Sequence, residues 1–89
     1  MRNLIINLAS TGGWQDVVCP DKTQAVSLQM RENQVDMLYR YRGTVTYWTV
    51  KAGTARLLVG EFWQGDIQVQ AAVGNNFEIE TTTRWAAGR

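Results

Sequence analysis

The chain has 89 residues, with nine Lys plus Arg against eight Asp plus Glu, no His, one Cys and one Pro. A chain of this length is expected to fold as a single domain over residues 1–89. The lack of His and the lone Cys exclude a zinc finger, a histidine general base and an internal disulfide, and a formal charge of +1 argues against a nucleic-acid or membrane partner.

The N-terminal segment gives no targeting signal. Its apolar run, residues 4–6, is shorter than the roughly 7–15 residues of a secretory signal. No window approaches the roughly 20 apolar residues that a membrane-spanning helix needs. We therefore expect a protein that is made in a reducing cytoplasm, where an unpaired Cys19 is an ordinary buried apolar residue.

Strands dominate the predicted elements. Residues 26–31, 67–71 and 77–80 alternate apolar and polar side chains with period two, which is typical of half-buried strands. Gly- and Asn-containing turns separate weaker strands, and Gly43-Thr44 resembles a hairpin connection. In chain order the predicted strands are residues 3–8, 15–19, 26–31, 37–42, 46–50, 54–59, 67–71 and 77–80.

About eight strands at this spacing predict an all-β fold, an antiparallel β-sandwich or small barrel. The competing interpretation is a helix over residues 22–38, against which the alternation of Val26, Leu28 and Met30 argues directly. The predicted core comprises Leu4, Ile6, Val17, Val26, Leu28, Met30, Leu57, Ile67, Val69, Phe77 and Ile79.

Catalytic constellations are weak in this sequence. Glu78 and Glu80 lie two apart on one strand face, where a carboxylate pair could serve glycoside hydrolysis, but a solvated face paired with Arg or Lys across the sheet explains them better. Cys19 has no His to raise its thiolate fraction. We therefore predict a non-enzymatic protein without a metal site or cofactor.

The Tyr39–Tyr41 segment is the main argument for nucleic-acid binding. Alternation places Tyr39 and Tyr41 on one strand face and Arg40 and Arg42 on the other, so these aromatics and cations do not line one groove. The alternative function is an OB-like single-strand nucleic-acid binder whose platform is Tyr39, Tyr41, Tyr47 and Trp48.

Four tryptophans are many for 89 residues, and they lie near turns or chain ends. One interpretation is that they seal the open edges of a sandwich. The other is that they anchor a partner, because Trp, Tyr and Arg are enriched at binding hot spots. The candidate partner-binding residues are Phe62, Trp63, Trp85, Trp14 and Trp48. An exposed aromatic row could also bind carbohydrate.

The order of these segments suggests a family. The pattern includes a Trp-led strand at Trp14, and its most specific element is the turn Lys51-Ala52-Gly53 followed by the later strand that begins Gly65-Asp66-Ile67. This pattern resembles the small all-β virion proteins of tailed bacteriophages, including head decoration or cement proteins and head–tail components. The resemblance implies a capsid-associated subunit of the virion, assembled in the host cytoplasm, that binds other virion proteins as a homo-oligomer or as many copies on a symmetric lattice.

Overall fold

A computed structural model describes residues 2–31 and 35–83, and every regular element in these two ranges is a β-strand. The eight strands are β1 (Arg2–Ala9), β2 (Gln15–Asp16), β3 (Thr23–Met30), β4 (Met37–Tyr41), β5 (Trp48–Val50), β6 (Ala55–Phe62), β7 (Ile67–Gln70) and β8 (Asn76–Thr83). The helix considered over residues 22–38 is wrong, because β3 occupies most of its first half and β4 begins at Met37.

The strands form two four-stranded antiparallel sheets that make a small β-sandwich. Sheet A has the order β1-β8-β3-β6, and sheet B has the order β2-β7-β4-β5. The hairpin predicted around Gly43-Thr44 is confirmed, since β4 and β5 pair with Tyr39 opposite Trp48. The predicted strand at residues 15–19 is shorter than expected, because only Gln15 and Asp16 pair with β7.

The core lies between the inner faces of the two sheets. Every second side chain of each strand points into the core. A register slip of one residue would move all of these apolar side chains to the solvent-facing side. This prediction is confirmed for eight buried residues: Val17, Val26, Leu28, Met30, Ile67, Val69, Phe77 and Ile79. Ile6 is only half-buried, and the side chain of Leu4 lies outside the described ones.

The core prediction is wrong for Leu57 in β6. Leu57 pairs with Ser27 on the outer face and is 62% exposed, whereas the next residue, Leu58, pairs with Val26 and is 5% exposed. The segment Ala-Arg-Leu-Leu-Val has two adjacent leucines and no clean alternation, so its sequence does not show which leucine points inward.

Two buried threonines on the inner side of sheet A differ in hydrogen bonding. The Thr23 hydroxyl donates to the Pro20 carbonyl oxygen over 2.6 Å. The Thr81 hydroxyl is fully buried and has no hydrogen-bond partner within the described ranges. A buried hydroxyl without a partner has lost its hydration without compensation.

We therefore expect Thr81→Val to raise the free energy of unfolding by about 1 kcal/mol, because it removes an unpartnered hydroxyl and keeps the side-chain shape. The matched Thr23→Val should lower it by about 1 kcal/mol, because a hydrogen bond is lost. Urea unfolding of the two variants measures both changes. Equal destabilisation by the two substitutions would contradict the assignment.

Candidate binding surfaces

The predicted partner-binding residues do not form one site. Phe62 and Trp63 lie at the end of β6, Trp14 lies on the outer face of sheet B, and Trp48 packs at the β5 edge of that sheet. Trp85 lies outside the described residues. The chain therefore presents three separate aromatic surfaces.

The first surface is a shallow cleft at the end of β6. Phe62 is half-buried against the core and Trp63 is 61% exposed, and both line a cavity of about 100 Å³ together with Lys22, Thr23 and Glu61. The apolar side of this cleft would suit an apolar group from a partner.

The turn that follows β6 fixes the backbone at Trp63. The Trp63 N–H donates to the Asp66 carboxylate over 2.7 Å, and the Asp66 N–H donates back to the Trp63 carbonyl oxygen over 3.0 Å. Gly65, with φ +80°, allows the chain to close this turn. The exposed indole is therefore held on a pre-ordered backbone, which lowers the entropic cost of binding.

The second surface is an aromatic cluster at the β5 edge of sheet B. The Trp48 ring stacks on Tyr39 with centroids 5.4 Å apart and meets Tyr41 edge-on at 5.7 Å. Burial raises the pKa of Tyr41, Tyr39 adds to the rise, and Arg56 opposes it. Because Tyr39 is buried, the cluster closes this flank of the sandwich, although Trp48 remains 44% exposed.

The third surface crosses the outer face of sheet B. The Arg40 guanidinium lies 4.1 Å from the centre of the Trp14 ring, and the Tyr47 ring lies 6.2 Å from Trp14. Arg40 Nε donates to Gln68 Oε1, and Gln68 Nε2 donates to Asp16 Oδ1, each over 2.9 Å. We call these five residues, Trp14, Asp16, Arg40, Tyr47 and Gln68, the outer row.

Alternation along β4 separates Tyr39 and Tyr41 from Arg40, as predicted, but two aromatic residues that the prediction did not consider lie on the same face as Arg40. Trp14 and Tyr47 reach Arg40 from outside β4. Period two does predict that Trp14 and Asp16 share a face. Only the strand order β2-β7-β4 shows that this face is also that of Arg40.

The carboxylates Glu78 and Glu80 lie on the outer face of sheet A. The residues directly opposite Glu78 are Asn7 and Gln29, and those opposite Glu80 are Ile5 and Ser27. The cross-strand pairing of these glutamates with Arg or Lys stays a prediction.

Cys19 is buried, as predicted, with 5% of its surface exposed. Burial, with a smaller contribution from the negative charge of Asp66, raises the pKa of the Cys19 thiol to about 11. A thiol with a raised pKa carries little thiolate near neutral pH and is a poor nucleophile.

The raised pKa of Cys19 predicts a loss of stability at alkaline pH. In the unfolded chain the thiol has its ordinary pKa of 9.0. In the folded chain it keeps its proton up to about pH 11. The folded state therefore binds this proton more tightly than the unfolded state. The thiol's contribution to the free energy of unfolding is fully present below the pKa of the unfolded chain, and it is lost as the pH rises through the pKa of the folded chain. Urea unfolding between pH 7 and 11 measures this. The free energy of unfolding should fall more steeply with pH for the native chain than for Cys19→Ala, and the same pH dependence in both would contradict the prediction.

Among the described residues no helix is long and apolar enough to cross a membrane. Within the same ranges no three His, Cys, Asp or Glu side chains are grouped so as to hold a metal ion. Comparison of the chain with family models, with curated protein sequences and with solved structures found no match in any of the three.

Proposed function

We propose that the chain is a non-enzymatic structural subunit of a tailed-bacteriophage virion, a capsid-associated decoration or cement protein that acts through protein–protein contacts. The observation that carries this proposal is the number of large apolar side chains at the surface. The exposed set is Ile5, Val18, Val45, Tyr47, Trp48, Leu57, Val59, Trp63 and Val73. Leu57 and Val59 lie next to each other on the outer face of β6, and a contiguous exposed apolar patch marks an interaction site.

The distribution of this set supports contacts with several neighbours. Ile5 and Leu57 lie on the outer face of sheet A, Tyr47 lies against the outer row of sheet B, and Trp63 lies at the β6–β7 turn. An enzyme or a small-ligand binder concentrates its functional groups in one concave site. Apolar groups on several sides suit a subunit that touches more than one neighbour.

The resemblance of the strand and turn pattern to phage decoration and cement proteins supplies the class of partner. The titratable side chains add support. The two shifted pKa values among the described groups, those of Cys19 and Tyr41, are both raised, away from the range in which a group works as a base at neutral pH.

Co-sedimentation with virus particles tests the proposal. The purified chain is mixed with phage heads or with phage tails, both prepared from the cells that naturally make this chain. The amount of chain that sediments with each particle is measured after centrifugation. We expect the native chain to sediment with the heads and Trp63→Ala to bind at least ten-fold more weakly. Thr46→Ala, an exposed truncation in the β4–β5 loop that lies outside this apolar set, is the control and should bind as the native chain does. A chain that binds neither particle would overturn the proposal.

The outer row favours a second candidate function, binding of single-stranded nucleic acid. Aromatic rings stack on bases, and an arginine held beside them can contact the backbone. This platform uses Trp14 and Tyr47, and it replaces the predicted one, because Tyr39 is buried beneath Trp48. Asp16, joined to Arg40 through Gln68, opposes phosphate binding, which is why this candidate stands second.

Tryptophan fluorescence at low salt tests this second candidate. Titration with oligothymidylate should quench the emission of the native chain and of Trp63→Ala, while Trp14→Ala should show no quench. Unchanged emission of the native chain would eliminate nucleic-acid binding. Quenching by a soluble glycan instead would assign the outer row to carbohydrate.

A further inference from the structure

Strand β6 is a long edge strand of sheet A. It has eight residues and pairs only with β3 on one side, so the backbone groups on its other side have no strand partner within the described chain. Natural sheets protect such edges with proline, lysine, bulges or very short strands. Residues Ala55–Val59 contain no proline, lysine or bulge and keep an unbroken register with β3, and their one protective charge is Arg56, on the inner side of the strand opposite Leu28. An edge of this kind can accept another strand.

The outer side of β6 is apolar over the same regular segment. Ala55, Leu57 and Val59 follow one another on this face, and Leu57 and Val59 are 62% and 78% exposed. The opposite edge strand, β1, differs, because Ile5 is followed on its outer face by Asn7, which accepts a hydrogen bond from Arg31. The two edges of sheet A are therefore not equivalent.

We infer that β6 pairs antiparallel with β6 of a second copy of this chain, with the two-fold axis at Leu57. In this register Leu57 lies opposite Leu57 of the second copy, and Ala55 lies opposite Val59 on either side. Every outer-face pair between the two Ala55–Val59 segments is then apolar. Sheet A of one copy and sheet A of the other become one eight-stranded sheet. A two-fold interface needs a self-complementary surface, and Leu57 is the central residue of the regular segment Ala55–Val59.

The charges near β6 favour the antiparallel direction. Lys51 precedes the strand and Glu61 lies at its far end, whereas Arg56 lies one residue from Leu57 and marks neither end. An antiparallel pair places the cationic end of each strand beside the anionic end of the other. A parallel pair would place like charges side by side, which destabilises a sheet.

Alternative antiparallel registers fit less well. Relative to the register centred on Leu57, the second strand can shift only by an even number of residues. An odd shift would place outward-facing residues of one strand opposite inward-facing residues of the other. A shift that centres the axis on Leu58 moves the pairing into Gly60, where φ is +156° and the strand is irregular. A shift that centres it on Val59 places Glu61 opposite Leu57. The register centred on Leu57 avoids both.

Disulfide trapping tests this register. Directly opposite Cα atoms in an antiparallel pair are roughly 4.5–5.5 Å apart, within the range that a disulfide spans. We therefore expect Leu57→Cys to form a covalent dimer under mild oxidation. Val59→Cys alone should not, because its own copy would lie four residues along the strand, roughly 14 Å away. A mixture of Ala55→Cys and Val59→Cys should form a mixed dimer.

Val45→Cys is the matched control, since Val45 is more exposed than Leu57 but lies in the β4–β5 loop. Dimer formation by Leu57→Cys that is no faster than that of Val45→Cys would overturn the inference. Trapping only in a mixture of Leu57→Cys with Val59→Cys would place the axis at Leu58 and overturn the register.

Sedimentation equilibrium of the native chain provides a second readout. The mass should rise with concentration to that of a dimer and no further, and Leu57→Lys should remain a monomer while Val45→Lys dimerises. Growth beyond a dimer would indicate head-to-tail pairing of β6 with β1 and contradict the two-fold interface. The inference rests on the proposed function for its view of the chain as an assembling subunit, but dimers that bind no phage particle would overturn that function alone.

Discussion

Replacing Leu58 by alanine is expected to lower the free energy of unfolding by about 2 kcal/mol or more, whereas Leu57→Ala should change it by about 0.5 kcal/mol or less. The two leucines are adjacent, and the substitutions remove the same atoms. Leu58 belongs to the buried core, and Leu57 faces outward. The difference between the two variants therefore measures the orientation of β6.

Urea unfolding followed by circular dichroism checks this pair of variants. A domain of this size has a total stability of roughly 4–13 kcal/mol, so the loss in Leu58→Ala should move the midpoint clearly. The chain should be dilute enough to be monomeric, because Leu57 lies at the centre of the inferred dimer. If Leu57→Ala proved the more damaging change, β6 would have the opposite orientation.

Gly65→Ala is expected to lower the free energy of unfolding by about 2–4 kcal/mol. Gly65 has φ +80°, a conformation that costs a residue with a Cβ roughly 1–2 kcal/mol. A methyl group there would also overlap the Arg42 guanidinium. That guanidinium donates to the carbonyl oxygens of Gln64, over 2.9 Å, and Gly65, over 3.2 Å, and would have to give up these bonds, each worth about 0.5–1.5 kcal/mol.

Gly53→Ala separates the two contributions. Gly53 has φ +81°, but a Cβ there would meet nothing within 4 Å. Gly53→Ala should therefore lower the free energy of unfolding only by the backbone cost of about 1–2 kcal/mol. Equal losses in the two variants would show that Arg42 moves away at no cost. In an Arg42→Ala background the loss caused by Gly65→Ala should fall to this backbone cost alone, which would confirm the overlap.

The sequence predicts the strands and most of the core because alternation in β3, β7 and β8 is uninterrupted. In Val26, Leu28 and Met30, for example, each apolar side chain is followed by a polar one, so only one face can be buried. The same logic fails in β6, where Leu57 and Leu58 compete for the core. It also overextends β2, because the regular ladder with β7 ends at Asp16, although the Val17 N–H still donates to the Ile67 carbonyl oxygen over 2.9 Å.

The binding surfaces are less accessible to prediction, since they depend on which strands are neighbours. The tryptophans stand out by number alone, but their surroundings do not follow from local pattern. Arg40 meets Trp14 only because β7 lies between β2 and β4. Likewise, the exposure of β6 follows from its place at the edge of sheet A, which propensity does not specify.

The strand order has a consequence for the time course of folding. In sheet A no strand is hydrogen-bonded to its sequence neighbour, and β8, the last described strand, lies between β1 and β3. During synthesis this sheet therefore has to wait until residues up to 83 have left the ribosome. The β4–β5 hairpin is the only pairing of consecutive strands in the described chain, and it is the natural first structure. Because distant segments must meet before most bonds form, we expect folding in milliseconds to seconds rather than microseconds.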